Sequence, residues 1–115
     1  MKIKDSSINI NVSDLDISIE FYEAIGFKIQ NRWENHYALL NAPGIVIGLH
    51  PTNTKNLIGS SGNVSIGFTT DDIEGAKSLL ESLSIKLTER NEEGGQFLHF
   101  NDPNGTALYF IKPKW

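Results

Sequence analysis

Imidazole, phenol and carboxylate are the groups of this 115-residue chain that could move a proton or hold a cation, and their spacing limits what they can do. The three histidines, His36, His50 and His99, form neither a His-x-His nor a His-x3-His pair, so no strand or helix turn presents two imidazoles to one metal. An imidazole such as that of His99 is a residue type suited to proton transfer near neutral pH, and Tyr109 could act beside it as a donor. His99 also reads as a hydrogen-bonding groove residue or as a plain sheet-face histidine, and His50, next to Pro51, as an exposed strand end. The carboxylates Glu92 and Glu93 precede Gly94-Gly95, which is the composition of a solvated hairpin tip rather than of an acid–base pair. The chain has no Cys, which excludes a disulfide scaffold, a thiolate zinc site, a Cys nucleophile and an iron–sulfur cluster. There is no Gly-x-Gly-x-x-Gly, no phosphate loop and no Gly-x-Ser-x-Gly elbow. Trp33 and Trp115 are candidates for aromatic surface offered to a ligand or partner; Trp115 could equally dock on its own domain or on a dimer mate.

Composition narrows the partners. Ten Lys and Arg against fourteen Asp and Glu leave a net charge of −4, and the cations are scattered, so nucleic acid is not expected as a partner. No window approaches the roughly 18 apolar residues of a membrane span, and Met1 to Ser7 lacks the apolar stretch of a secretion signal. The expectation is a soluble, cytoplasmic protein that does not engage membranes. At this length one domain is expected, burying about 60–70% of the unfolded surface without a metal or disulfide staple.

The elements that must position these residues are written twice. Asp14-Leu15-Asp16 aligns with Asp72-Ile73-Glu74, Phe21-Tyr22-Glu23 with Leu79-Leu80-Glu81, and Ile25 to Ile29 with Leu83 to Leu87, all at an offset of 58 residues. Asn41-Ala42-Pro43-Gly44 resembles Asn101-Asp102-Pro103-Asn104-Gly105. Alternation in Ile8, Ile10 and Val12, and again in Val64, Ile66 and Phe68, predicts a half-buried strand opening each half. Asp14 and Asp72 stand as N-caps of a following helix. Ile17, Phe21, Tyr22 and Ile25 are expected on the inner face of the first helix, and Ala76, Leu79, Leu80 and Leu83 on that of the second. Three strands follow in each half, near 27–32, 36–41 and 45–50, then 85–90, 96–101 and 106–112, with Glu92 to Gly95 and Asn104-Gly105 as turns. The module is thus β-α-β-β-β, repeated over about 6–50 and 63–112, with residues 51–62 as a linker long enough to be functional or to let modules pair between chains.

Two such modules, the run Val12-Ser13-Asp14-Leu15-Asp16-Ile17-Ser18-Ile19-Glu20-Phe21-Tyr22 and the late Asp102-Pro103-Asn104-Gly105 together resemble the vicinal oxygen chelate superfamily, across essentially the whole chain. The superfamily includes glyoxalase I, extradiol dioxygenases, fosfomycin-modifying transferases and bleomycin-resistance proteins. The resemblance implies an α+β fold, a single domain over 1–115 in which two tandem βαβββ modules curve their mixed sheets into an open cleft with helices outside. It also implies a homodimer. Catalytic members hold one divalent metal with four side chains on the first and last strand of each module; carried onto this sequence the positions are Ser7, Gly48, Asn63 and Tyr109. A hydroxyl, a hydrogen atom, an amide and a phenol do not make that site, so no metal or other cofactor is expected.

Strand parity reaches the cleft by a second route, since the apolar set must face the helices. It leaves Ser7, Asn9 and Asn11 on the other face of the first strand, Asn63, Ser65 and Gly67 on that of the fifth, Val46 and His50 beside Gly48, and Ala107 and Ile111 beside Tyr109. Repeat logic adds Trp33, Tyr37, Phe97 and His99 from the middle strands. Gly48 and Gly67 read equally as bends in the sheet and as space for a ligand. An aromatic-edged, polar-floored groove suits an aromatic or amphipathic small molecule. The expected function is therefore metal-free, non-catalytic binding like that of bleomycin-resistance proteins. Two alternatives stand beside it: an enzyme of the same superfamily, with a relocated metal or with His99 and Tyr109 as acid and base, and a domain whose groove is vestigial.

Overall fold

The computed structural model describes residues 1–59 and 62–114, so Trp115 lies outside the described residues. The chain divides into two compact units, Met1–Gly59 and Ser60–Trp115. In the first, β1 (Ile8–Val12), α1 (Leu15–Ala24), β2 (Lys28–Trp33), β3 (Tyr37–Ala42) and β4 (Ile45–Pro51) build a four-stranded sheet of order β1-β4-β3-β2. β1 runs parallel to β4 and the other pairs are antiparallel. Since β1 and β2 occupy opposite edges, the connection through α1 must cross one face of the sheet, and that face becomes the core: Ile10, Val12, Ala38, Leu40, Ile47 and Leu49 are buried there. The second unit repeats the plan with β5 (Ile66–Thr69), α2 (Ile73–Ser82), β6 (Thr88–Glu92), β7 (Gly95–Asn101) and β8 (Ala107–Pro113), in the order β5-β8-β7-β6. Its core holds Ile66, Ile73, Leu80, Leu98, Phe100 and Leu108.

The repeat extends to the helix ends. Asp14 accepts from the Ile17 N–H at 3.0 Å and Asp72 from the Gly75 N–H at 2.9 Å, each satisfying a donor of the first turn. Both helices close with the same pair of bonds, Gly26 N–H to Glu23 O with Phe27 N–H to Tyr22 O, and Ser84 N–H to Glu81 O with Ile85 N–H to Leu80 O. This closure needs a left-handed residue, Gly26 at φ 119° and, at the matching position, Ser84 at φ 58°. Each helix is also tied to the outer strand beside it, through Arg32 to Asp16 at 2.7 Å and through Lys77 to Glu89 at 2.9 Å. The hydrogen bond and charge of Glu89 hold Lys77 above the usual lysine range.

Several sequence expectations need correction. The buried face of α1 is Leu15, Ser18, Ile19 and Tyr22, while Ile17 is 53% exposed and Phe21 and Ile25 are half-buried. α2 buries Ile73 and Leu80; Ala76 and Leu79 are half-buried and Leu83 is exposed. β5 starts at Ile66, leaving Asn63, Val64 and Ser65 in the exposed segment before it. Residues 51–59 are not a plain linker: Pro51 ends β4, Lys55–Leu57 form a single 3-10 turn, and Asn11 Nδ2 donates to Leu57 O at 3.0 Å. β6 begins at Thr88 opposite His99, so Lys86 and Leu87 do not continue the ladder. The shortened strand leaves an open hollow of about 750 Å³ against α2, lined among others by Lys77, Lys86, Leu87, Phe100 and Leu108.

The outer strands differ in character. β2 carries Lys28 and Arg32 and is interrupted by a bulge at Gln30, where the register jumps from Ile29–Leu40 to Asn31–Leu39. β6 is exposed throughout and carries Glu89, Arg90 and Glu92. β1 and β5, at the other edges, contain no charged residue.

Candidate functional site

Because Ala38, Leu40, Ile47 and Leu49 point to α1, their neighbours Tyr37, Leu39, Val46, Gly48 and His50 occupy the open face of the first sheet. Asn9 pairs with Gly48 and Asn11 with His50, which puts both amides on that face. The Tyr37 hydroxyl reaches over Gly48 and donates to Asn9 Oδ1 at 2.5 Å. Gly48 is what allows this, since a Cβ at that position would collide with both the hydroxyl and the amide oxygen. Trp33 stands next to Tyr37 with ring centres 5.7 Å apart and is 45% exposed. The bulge decides where Trp33 points: the extra residue resets parity, so Asn31 and Trp33 share the open face while Arg32 turns back to meet Asp16. Ser7 lies ahead of β1 and is exposed; His50 is exposed near the end of β4.

In the second unit Leu98, Phe100 and Leu108 face α2, which leaves Phe97, His99, Tyr109 and Ile111 on the open face. Three rings meet there. Phe97 and His99 lie nearly parallel at 5.8 Å, and Tyr109 stands 6.0 Å from Phe97 and 5.6 Å from His99. Tyr109 folds over Gly67, where a Cβ would run into its ring. Both open faces thus carry the same device, a tyrosine laid across a strand glycine. The structure brings Asn9, Asn11, Trp33, Tyr37, Gly48 and His50 to one face in the first unit and Phe97, His99 and Tyr109 to one face in the second. It does not place Asn63 and Ser65 on a strand. Sequence reasoning missed Thr88 and Arg90, which pair with His99 and Phe97 and so join their face; Arg90 contacts Glu92 at 2.9 Å. Only the register of β6 reveals them.

A divalent metal finds a poor donor set at the positions named for it. Gly48 offers no side chain and is covered by Tyr37 and Asn9, Tyr109 is a phenol packed on Gly67, and Ser7 and Asn63 add a hydroxyl and an amide. Among the described residues no three His, Cys, Asp or Glu side chains cluster as a metal site would require. The residues present do not fit the metal held by catalytic relatives.

The sequence model of the Glyoxalase/Bleomycin resistance protein/Dioxygenase superfamily matches residues 6–110. The chain belongs to that superfamily. A relative by sequence is an uncharacterized protein of Mycolicibacterium smegmatis (strain ATCC 700084 / mc(2)155), 30% identical over 104 residues that make up 87% of each chain. Among solved structures, the genomically encoded fosfomycin resistance protein FosX of Listeria monocytogenes superposes with a TM-score of 0.83 at 15% identity, covering 99% of this chain and 96% of that one. A bleomycin-binding protein complexed with bleomycin superposes with a TM-score of 0.70 at 20% identity, covering 97% of this chain and all of that one. At these identities the two structures show the superfamily fold. Among the described residues no helix is long and apolar enough to cross a membrane.

Proposed function

We propose that this chain is a small-molecule binding protein of the superfamily that sequesters an aromatic or amphipathic ligand on its open sheet faces, without a metal and without altering the ligand. The observation that carries this reading is the pair of tyrosines laid over Gly48 and Gly67, which puts aromatic and amide surface where catalysts of the resembled superfamily need carboxylates and imidazoles. The bleomycin-binding neighbour supports the class of function by analogy of fold. The protein acts as a homodimer in this reading, as the superfamily resemblance implies.

Calorimetric titration of chelator-stripped protein with nickel, manganese, iron(II) and zinc tests it. The expected result is no saturable site, with the same sample sedimenting as a dimer at roughly tens of micromolar. One site per chain with sub-micromolar affinity, about −8 kcal/mol or stronger, would overturn the metal-free reading, and a pure monomer would overturn the dimer. A second reading is favoured by one specific contact. The rings of His99 and Tyr109, with centres 5.6 Å apart, put an imidazole and a phenol on the same open face, the two groups that metal-free proton transfer would use. A His99→Ala variant that keeps its ligand but loses turnover would establish that reading instead.

A further inference from the structure

We propose that the hollow on the open face of the first unit takes a neutral, hydroxyl-bearing aliphatic ring, a pyranose being the type; the proposal rests on the reading above that the open faces bind a small molecule. The hollow holds about 350 Å³, within the range of about 300–1,000 Å³ that small-molecule sites occupy, and is lined by Asp5, Ser6, Ser7, Gln30, Leu39 and Val46. Its chemistry is divided. Leu39 on β3 and Val46 on β4 line it with aliphatic residues, while the segment ahead of β1 contributes Asp5, Ser6 and Ser7 and the β2 bulge contributes Gln30.

The amide is already oriented. Asn41 Nδ2 donates to Gln30 Oε1 at 3.2 Å, which turns the Gln30 Nε2 donors away from that contact. The polar lining therefore offers an acceptor in Asp5, donors in Gln30, and serine hydroxyls that do both. Vicinal hydroxyls match such a set, because each both donates and accepts, and those that donate to the Asp5 carboxylate form the stronger, charge-assisted bonds.

Other ligand classes fit less well. No Lys or Arg lines the hollow, so a phosphate or carboxylate would find no counter-charge and would face Asp5. Trp33, Tyr37 and His50, the rings of this face, do not line it either, so a flat heteroaromatic would find nothing to stack on. An aliphatic ring lays its C–H surface on Leu39 and Val46 and turns its hydroxyls to the polar lining. The β2 bulge is then a specificity element, since it contributes Gln30 to that lining.

Saturation-transfer NMR on the full chain with phenyl β-D-glucopyranoside, methyl β-D-glucopyranoside and phenol tests this. Both glucosides should show saturation on their pyranose C–H protons, and phenyl glucoside should bind about tenfold more tightly than phenol, equivalent to about 1.4 kcal/mol. Asp5→Ala, at an exposed position ahead of β1 where folding is not at stake, should remove most of that advantage and leave phenol binding unchanged. Phenol binding as tightly as phenyl glucoside, with saturation confined to aryl protons, would overturn the pyranose assignment while leaving small-molecule binding intact. Absence of saturation in all three probes would overturn both.

Discussion

Tyr22→Ala is expected to lower stability by about 3–5 kcal/mol, the range for deleting a buried aromatic side chain. Tyr22 is 0% exposed, at the point where α1 meets the sheet. It packs edge-on against Phe21 at 5.2 Å and against Phe27 at 5.4 Å, with interplanar angles of 87° and 83°. Phe27 is itself buried, and its N–H closes α1 on the Tyr22 carbonyl, so a cavity there would loosen both the packing and the helix end. Set against a typical total of about 5–15 kcal/mol, the loss should lower the melting temperature by roughly 12 °C or more. Thermal melts followed by circular dichroism read this directly. Tyr22→Phe keeps the ring and should lose far less; equal losses for the two variants would mean that the aromatic cluster is not what holds α1.

Asp102→Ala should cost about 2–4 kcal/mol for a different reason. Asp102 is a charged residue only 5% exposed, in the connection between β7 and β8. One carboxylate oxygen accepts from the Asn104 N–H at 2.8 Å and from the Thr106 N–H at 2.9 Å. The residue's own N–H donates to Thr106 O at 3.0 Å and its carbonyl accepts from the Gly105 N–H at 3.1 Å. Alanine keeps the two backbone bonds but removes the acceptor of two partly buried donors, and hydrogen bonds to a charged group contribute about 1.5–3 kcal/mol each without adding fully. Asp102→Asn retains an oxygen at that position and should recover at least half of the loss in urea unfolding. A neutral Asp102→Ala variant would show that the connection is held by its backbone alone.

The same turn illustrates what could be read in advance. Asp102-Pro103-Asn104-Gly105 was legible as a turn because each residue type has its own local reason to be there, and Gly105 does sit at φ 91°. The module order and the N-caps were legible for the same local reasons. The inner face of α1 was not. Leu15, Ile17, Ile19, Phe21 and Tyr22 put apolar groups on two stripes of a ten-residue helix, and only packing selects the one through Leu15, Ile19 and Tyr22, with Ser18 carried inward beside them. The late start of β6 was hidden too, because Lys86 and Leu87 match the strand residues Lys28 and Ile29 of the first unit yet do not pair. The bulge at Gln30 had no sequence signature, although it decides the direction of Trp33. Parity identifies the open-face residues of β1, β4 and β8, whereas Asn63 and Ser65 lie ahead of the strand to which parity assigns them.

The uneven edges of the two sheets bear on how copies of this chain can add to one another. A filament grows only if every unit offers two adhesive edges, one for the copy before and one for the copy after. Here each sheet has one edge that discourages addition, by a bulge and two cations on β2 and by three charges on β6. The opposite edges, β1 and β5, have no such guard. Strand addition to either sheet therefore ends after a single event at its one unguarded edge; the chain as a whole keeps two such edges, β1 and β5, and it is the pairing of these, not of β2 or β6, that decides whether copies close into a finite species.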